Sequence, residues 1–293
     1  MDKVLVIVVT YNAHDWIRQC LNSVDMERYD AFVVDNASTD DTLSILHTEY
    51  PKAIVRAMDK NLGFGQANNI GLRYALDNGY DYIFLLNQDA WLLPDTIEKL
   101  IVAQKQHPEY WVLSPLQMNT KQGRVEMQFE VYVRRFKVDV FAQNIQEVEF
   151  CNAALWLLAV QGIKIVGGFD PIFPHYGEDT DFLQRVMFHQ GKIGILPTAK
   201  AYHEREKQST PSKEKIIYIT QLVYMGILKN INRSLFLCHC QLFVYVICHV
   251  CKSMCKLRIS AIQIYLSALF RVYSKYGEIK RRRELTKLTP MYL

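Results

Sequence analysis

Two acidic signatures ninety residues apart are the parts of this chain best suited to chemistry: Leu85-Leu86-Asn87-Gln88-Asp89 and Tyr176-Gly177-Glu178-Asp179-Thr180-Asp181. The first sets one carboxylate, Asp89, at the end of an apolar strand, where a metal ion can be held. The second gathers three carboxylates at the entrance of a helix. A metal beside one and a proton acceptor in the other suit the activation of a diphosphate leaving group and the deprotonation of an attacking hydroxyl.

Repeated strand–turn–helix units precede and position these acids. Val4–Val9 is an unbroken apolar run ending in Thr10-Tyr11-Asn12, and Asn12 with Asp15 reads as a helix start before Ile17, Leu21 and Val24. Phe32-Val33-Val34-Asp35 repeats the pattern, with Ser38 as N-cap and Asp41 as its capping-box partner. A third unit runs from Ile54-Val55 through Asn61-Leu62-Gly63-Phe64-Gly65 to a helix, and a fourth is Tyr82–Leu86 with Pro94 opening the next helix. Strands apolar on both faces, alternating with amphipathic helices, describe an α/β fold with a mostly parallel sheet. Ligands in such sheets bind outside the carboxyl ends of the strands, where Thr10, Asp35 and Asp89 fall. Beyond Trp111 the rhythm is lost: Val125–Val133 and Phe136–Phe141 read as a hairpin, 192–203 as a strand pair, and 212–277 as two or three helices.

The bulk numbers bound the possibilities. A chain of 293 residues, half of them apolar, buries a large core. Its net charge of +4 conceals ten Lys and Arg against Glu278 and Glu284 within 252–287, a local +8 that leaves the rest at −4. A basic tail on a mildly acidic body points to an anionic surface such as a membrane, and the apolar stretches beside it, Leu235–Cys251 and Ile259–Phe270, suit a segment lying on a bilayer. The competing reading of those helices is a homodimer or core-packing bundle; nucleic acid is not expected. The start of the chain lacks the pattern of a secretory signal, so a cytoplasmic protein, peripheral on the inner face of the membrane, is expected.

Several motifs have ordinary explanations. Gly63-x-Gly65-x-x-Asn68 looks like a dinucleotide fingerprint but lies outside the first strand-to-helix turn, so the glycines read as a tight turn at which backbone approaches a ligand. Seven cysteines, five of them within 238–255, fall at helical spacing in an apolar run without the paired ligand loops of a zinc site, and a reducing compartment fits them. Asp181 is spaced to pair with Arg185.

Taken in order, Val8-Val9-Thr10-Tyr11-Asn12, Val33-Val34-Asp35-Asn36-Ala37-Ser38-Thr39-Asp40, Asn61-Leu62-Gly63-Phe64-Gly65 with Asn68-Asn69, Leu86-Asn87-Gln88-Asp89, Gly167-Gly168-Phe169-Asp170, Glu178-Asp179-Thr180-Asp181 and His203 resemble the inverting family 2 glycosyltransferases of the GT-A fold, particularly bacterial rhamnosyltransferase-like polysaccharide enzymes. The resemblance covers residues 4–203. It implies a catalytic domain over 1–210, with a nucleotide-sugar half to about 114 and an acceptor half from about 115, and a basic helical appendage over 211–293. It implies that Thr10, Tyr11, Asn12, Asp35, Asn61, Gly63, Asn68 and Asn87 line the site of a UDP- or dTDP-sugar.

Asp89 matches the last acid of the family's metal-binding DxD, whose first acid is Asn87 here, and His203 matches a position that adds an imidazole to the same Mg²⁺ or Mn²⁺. Asp179 matches the catalytic base, with its pKa raised by crowding and with Glu178 orienting it or the acceptor. Residues 152–156 are expected to face a glycan acceptor, including a lipid-linked one, through Asn152 and Trp156. The alternatives are a sugar-nucleotide nucleotidyltransferase, which would need a glycine- and basic-rich loop after the first strand, and a non-catalytic glycan- or nucleotide-binding module, which would need no base.

Overall fold

Every residue from Val4 to Val9 is apolar because the strand that contains them, β1 (Val4–Thr10), lies inside a sheet covered on both faces. Val4, Val6 and Val8 enter one core with Ile17, Leu21 and Ile45; Leu5 and Ile7 enter the other with Leu72 and Ala75. The structure is a computed structural model describing residues 2–120, 123–204, 210–288 and 290–293.

After β1 come α1 (Ile17–Asn22), β2 (Asp30–Asp35), α2 (Thr42–Glu49), β3 (Ile54–Ala57), α3 (Phe64–Asp77), β4 (Tyr82–Asn87), β5 (Ala90–Leu92), α4 (Thr96–Gln106) and β6 (Tyr110–Asn119). The sheet domain continues through β7 (Arg124–Val125), α5 (Met127–Arg135), β8 (Gln146–Glu147), β9 (Leu155–Ala159), α6 (Val160–Val166), α7 (Glu178–Phe188) and β10 (Lys192–His203). Four helices follow: α8 (Lys213–Lys229), α9 (Leu235–Cys255), α10 (Ile259–Ser274) and α11 (Tyr276–Leu288).

The strand order is β3-β2-β1-β4-β9-β6-β10-β5. The first four are mutually parallel, so their carboxyl ends line one edge, with Thr10 beside Asp35 and Val9 beside Asn87. β9 is antiparallel to both β4 and β6, β10 is parallel to β6, and β5 closes the far edge antiparallel to β10. This is the mostly parallel α/β sheet with helices on both faces and a C-terminal helical appendage that the sequence suggests.

Local differences have local causes. The expected hairpin at 125–141 is largely the helix α5: Glu126 caps it by accepting from Gln128 N at 3.0 Å and Phe129 N at 2.8 Å, and Phe129 and Val133, four apart, face the core. Asn12 and Ser38 do not cap helices, because both are used between loops. Asn12, at φ 49°, accepts from Thr39 N at 2.8 Å, and Ser38 Oγ accepts from Asn12 N at 2.9 Å. Residues 192–203 form one long strand rather than a pair.

The appendage is fastened by buried charge. Lys229 Nζ lies 2.7 Å from Asp170 and 2.6 Å from Asp181, all three fully or almost fully buried. Arg185 pairs with Asp181 at 2.9 Å, as its spacing suggests, and donates to the carbonyls of Val166 and Gly168, each at 2.7 Å. From the C-terminal side, Arg282 Nη1 reaches Asp170 at 2.6 Å and the Tyr292 hydroxyl donates to it at 2.8 Å. Met291 forms a parallel bridge with Gly167 and accepts from Gly168 N at 2.8 Å. Gly167 has φ 80°, and a Cβ there would lie 2.1 Å from the Met291 carbonyl oxygen, so this turn needs glycine to admit the C-terminal peptide.

The +8 segment is therefore not a detached basic tail. Arg283 is buried and donates to the Leu228 carbonyl at 3.2 Å, Arg282 is paired, Arg271 meets Glu214, and Lys287 meets Glu284. All seven cysteines are free; Cys20, Cys151 and Cys238 are buried and the other four exposed.

Candidate functional site

The site begins at the carboxyl ends of β1, β2 and β4. Asp35 accepts from Thr10 Oγ1 at 2.9 Å, from Ser38 N at 3.0 Å and from Ser38 Oγ at 2.5 Å, and both Asp35 and Thr10 are 0 % exposed. Their placement differs from the expectation of direct nucleotide contact: the carboxylate is consumed in holding the two strand-end turns together. Tyr11, half exposed, is an aromatic side chain these turns present outward, and its backbone is fixed by Gln88, which accepts from Tyr11 N at 2.7 Å and donates to its carbonyl at 3.2 Å.

Beside it, Asn36 Oδ1 accepts from Leu62 N at 2.7 Å and its amide donates to Asn61 at 3.0 Å, clipping the 59–63 loop to β2. Asn36 and Gln88 were not singled out by the sequence reading. Their signal was present all the same, as amides among strand-end residues where backbone polar groups need partners.

The glycine turn has a different occupant from the one expected. Gly63 has φ 79°, and a Cβ on it would lie 1.8 Å from the Pro174 carbonyl oxygen, so the backbone that approaches is the protein's own 170s loop. Gly65 lies against Phe169 and Glu178, and Asn69 both accepts from Phe169 N at 2.7 Å and donates to its carbonyl at 2.8 Å. Asn68 is buried and donates to the Phe64 carbonyl of its own helix at 3.0 Å, which corrects its assignment to the nucleotide site. These contacts lock the start of α3 to the start of α7, and so set the acids of α7 relative to the strand ends.

Asp89 follows Asn87 in the turn between β4 and β5. Opposite it, His203 ends β10 in register with Ala90, and its Nε2 lies 3.4 Å from Asp89 Oδ1. The other ring nitrogen, Nδ1, faces Gln117 Oε1 at 3.0 Å, and Gln117 Nε2 donates to Asn152 Oδ1 at 2.8 Å. Since the glutamine oxygen can only accept, Nδ1 donates to it, which leaves Nε2, beside the carboxylate, as the ring nitrogen available to a metal.

One carboxylate oxygen and one imidazole nitrogen fit Mg²⁺ or Mn²⁺, and a partly exposed Asp89 leaves room for phosphate oxygens and water to complete the shell. Among the described residues no group of three His, Cys, Asp or Glu could hold an ion by itself. The residues immediately after the site, 205–209, lie outside the described residues.

On α7, Gly177 precedes Glu178, Asp179 and Asp181 in the first turn. Asp181 turns inward to Arg185 and Lys229, which hold its carboxyl below the usual range despite burial, so it is structural, as expected. Asp179 accepts from Thr180 N at 2.7 Å. The acid that its surroundings raise is Glu178: it is 6 % exposed, its Oε2 is buried without a hydrogen-bond partner, and burial, assisted by the Asp179 charge, pushes its pKa up to about 8. Asp181 is neutralised by its own cations, and the deeper position in the turn belongs to Glu178.

A neutral Glu178 makes stability fall with rising pH. The group binds its proton in the folded state up to about 8 and loses it at about 4.5 when unfolded, so stability declines between those values by up to about 1.4 kcal/mol per pH unit. Glu178→Gln removes that slope and raises the melting temperature at pH 8 more than at pH 4.5. Parallel melting curves of wild type and variant across pH would contradict this.

The two residues expected to face an acceptor are placed differently. Asn152 is linked to His203 through Gln117, a buried polar residue of β6 that the sequence pattern did not mark out. Trp156 is 0 % exposed, on the central strand β9 among Phe169 and Phe182, so it cannot stack on a sugar.

Comparison with known proteins adds to this geometry. The family model for glycosyl transferase family 2 matches residues 5–154. Glycosyltransferase GlyA of Streptococcus pneumoniae is 32% identical over 104 residues, 34% of this chain and 14% of that protein. Chondroitin synthase of Escherichia coli is 33% identical over 100 residues, 32% of this chain and again 14% of the relative. The matches therefore span a small part of those proteins.

Among solved structures, TarS of S. aureus in complex with UDP-GlcNAc superposes with a TM-score of 0.57 at 21% identity, covering 77% of this chain and 66% of that one. The mannosyltransferase PcManGT from Pyrobaculum calidifontis, in complex with GDP-Man and Mn²⁺, gives 0.59 at 17% identity, covering 93% and 75%. At these identities the superpositions establish the GT-A-like fold.

Proposed function

Given that this chain belongs to glycosyltransferase family 2, we propose that it transfers a sugar from a UDP- or dTDP-sugar to a hydroxyl of a glycan acceptor, with inversion, in polysaccharide synthesis. The observation that carries this reading is the pairing of Asp89 with His203 at the strand ends, in a chain whose acidic α7 turn is held against the start of α3 where Gly65 meets Glu178. The acceptor oxygen attacks the anomeric carbon as its proton passes to Asp179. The bond from that carbon to the diphosphate breaks, and its electron pair stays with the leaving phosphate oxygen. A single displacement of this kind needs no protein nucleophile. A bound Mg²⁺ or Mn²⁺ supplies Lewis-acid stabilisation of the charge on the diphosphate. Asp89 and His203 would hold it, with Gln117 orienting the His203 ring through Nδ1.

Asp89→Ala is expected to abolish divalent-ion-dependent binding of the nucleotide sugar without unfolding the protein, since the residue is partly exposed in a turn. Calorimetry with UDP and dTDP, with and without Mn²⁺, checks this; unchanged affinity in the variant would remove Asp89 from the site. A screen of donors, rhamnosyl among them, reading nucleoside diphosphate release identifies the sugar.

The helical appendage supports a second element of the proposal, association with an anionic membrane. Helix α9 is long and apolar enough to cross a bilayer by length and composition, with mean hydropathy 1.6. Cys238, Leu242, Val246 and Ser253 bury one face of it, whereas Phe236, Cys240, Phe243, Ile247, Cys251 and Met254 line the opposite, exposed face at helical spacing. Lys252, Lys256 and Arg258 flank the end of that face, so the arrangement fits a helix lying on anionic lipid.

Deleting the chain from Lys252, which the sequence makes look harmless, would also remove Arg282, Arg283 and Tyr292 from the buried network. Point variants are the cleaner test. Phe243→Ser with Lys252→Glu should lose binding to anionic vesicles at low salt while keeping nucleotide affinity. A wild-type protein that ignores such vesicles would instead favour a dimer interface.

A further inference from the structure

Two clefts meet on α7 within two turns of Asp179. One, of about 260 Å³, lies between α7 and α8 and is walled by Leu222, Val223 and Ile227; it extends to Tyr176 and Gly177, immediately before the acidic turn. The other, of about 330 Å³, is lined by Tyr132, Phe150, Arg135 and Arg233 together with Glu149, on the side where the chain leads into Asn152. They share Thr180, Gln184, Asn230 and Gln241, so the two clefts adjoin as one depression.

The floor of the apolar cleft is Gly226, inside helix α8. Glycine in a helix interior costs about 1 kcal/mol relative to alanine. Sterics do not demand it here, because a Cβ would meet nothing nearer than Thr180 Cγ2 at 4.0 Å. What glycine does at this position is leave the cleft open. In the adjoining cleft Arg135 stacks on Phe136 at 5.2 Å and Arg233 donates to Gln241 at 2.8 Å; among the described residues neither guanidinium has a carboxylate partner, and the two outnumber Glu149. Gln241 also places the depression beside exposed residues of α9, since Leu237, Val244 and Cys248 lie on the same side of that helix and are exposed.

We propose that this depression is the acceptor subsite for a lipid-linked, anionic acceptor: the hydrocarbon chain lies in the cleft between α7 and α8, and the anionic polar part lies against Arg135 and Arg233. The proposal rests on the glycosyl-transfer reading for its purpose, but not for its test. Apolar walls alone would take any greasy ligand; the adjoining guanidinium pair selects one with a negative head group. Entry from the α9 side matches a ligand that arrives in a membrane.

The test is calorimetric binding of dodecyl phosphate, below its micelle-forming concentration, to the full-length protein, with inorganic phosphate and dodecyl maltoside as separate arms. Dodecyl phosphate should bind once per chain and more tightly than either arm. Gly226→Leu, whose side chain projects into the cleft from a Cβ position that is free, should weaken it by at least about tenfold, whereas Gly226→Ala should retain binding and melt at a higher temperature. Arg135→Ala with Arg233→Ala should weaken dodecyl phosphate and leave dodecyl maltoside unchanged. Asp89→Ala should bind the probe as the wild type does, so that failure of the donor-site reading and failure of this one are told apart.

Equal affinity of wild type and Gly226→Leu would overturn the proposal. So would inorganic phosphate matching dodecyl phosphate, which would leave only an anion site. A change of oligomeric state in Gly226→Leu would assign the cleft to a second copy of the chain and overturn it equally.

Discussion

Asp179→Asn lowers turnover by a factor on the order of 10²–10⁴ and leaves donor affinity intact. Asparagine keeps the shape of the side chain and the acceptor for Thr180 N, now at 2.7 Å, so α7 still starts where it does. What it removes is the ability to take the acceptor's proton as the new bond forms. The other two acids of the turn cannot simply replace it. Asp181 is sealed between Arg185 and Lys229, and Glu178 is held protonated at neutral pH by burial, which makes it a hydrogen-bond donor rather than a base. Turnover with the donor identified by the release screen, alongside calorimetric donor affinity, separates the two effects. Near-normal turnover in the variant would remove Asp179 from the mechanism, and an intact function without any of these acids would favour a binding module.

Lys229→Met is expected to destabilise the whole protein by about 3–5 kcal/mol, the usual cost of stripping one partner from a buried ionic group. Lys229 sits between Asp170, at the end of the Gly167-Gly168 turn, and Asp181 on α7, while Arg282 and Tyr292 reach Asp170 from the C-terminal end. Removing the ammonium leaves two buried carboxylates facing the space it occupied. Because the network joins residues on both sides of 210, the loss should lower a single unfolding transition, followed by denaturant titration with near- and far-ultraviolet circular dichroism. Two transitions, with the earlier one alone shifted, would show instead that the helices unfold separately from the sheet domain.

The consequence reaches the site. Asp181 lies two residues beyond Asp179, so the clamp that docks the appendage also fixes the helix carrying the acids. A variant that loosens this network should therefore affect turnover even though it touches no substrate.

The sequence by itself determined the strand–helix units of the first half. Their strands are apolar on both faces, their helices are amphipathic, and their polar residues fall at strand ends, so local pattern and global fold agree there, and the approach of His203 to Asp89 follows from it. Only the tertiary structure decided which polar groups face the cleft. Asp35 and Asn68 are polar residues at expected places, but one is consumed by Thr10 and Ser38 and the other by its own helix, and no periodicity reports on a hydrogen bond between distant loops.

Trp156 was misplaced for a related reason: the antiparallel strand β9 enters the middle of a parallel sheet by long-range pairing with β4 and β6, which a short apolar run does not announce. The C-terminal segment shows the same limit with charge. Composition gives its net sign, but whether an arginine is solvated or buried depends on partners more than a hundred residues away, and it is this pairing of Arg282 with Asp170 that turned an apparent tail into part of the core around the site.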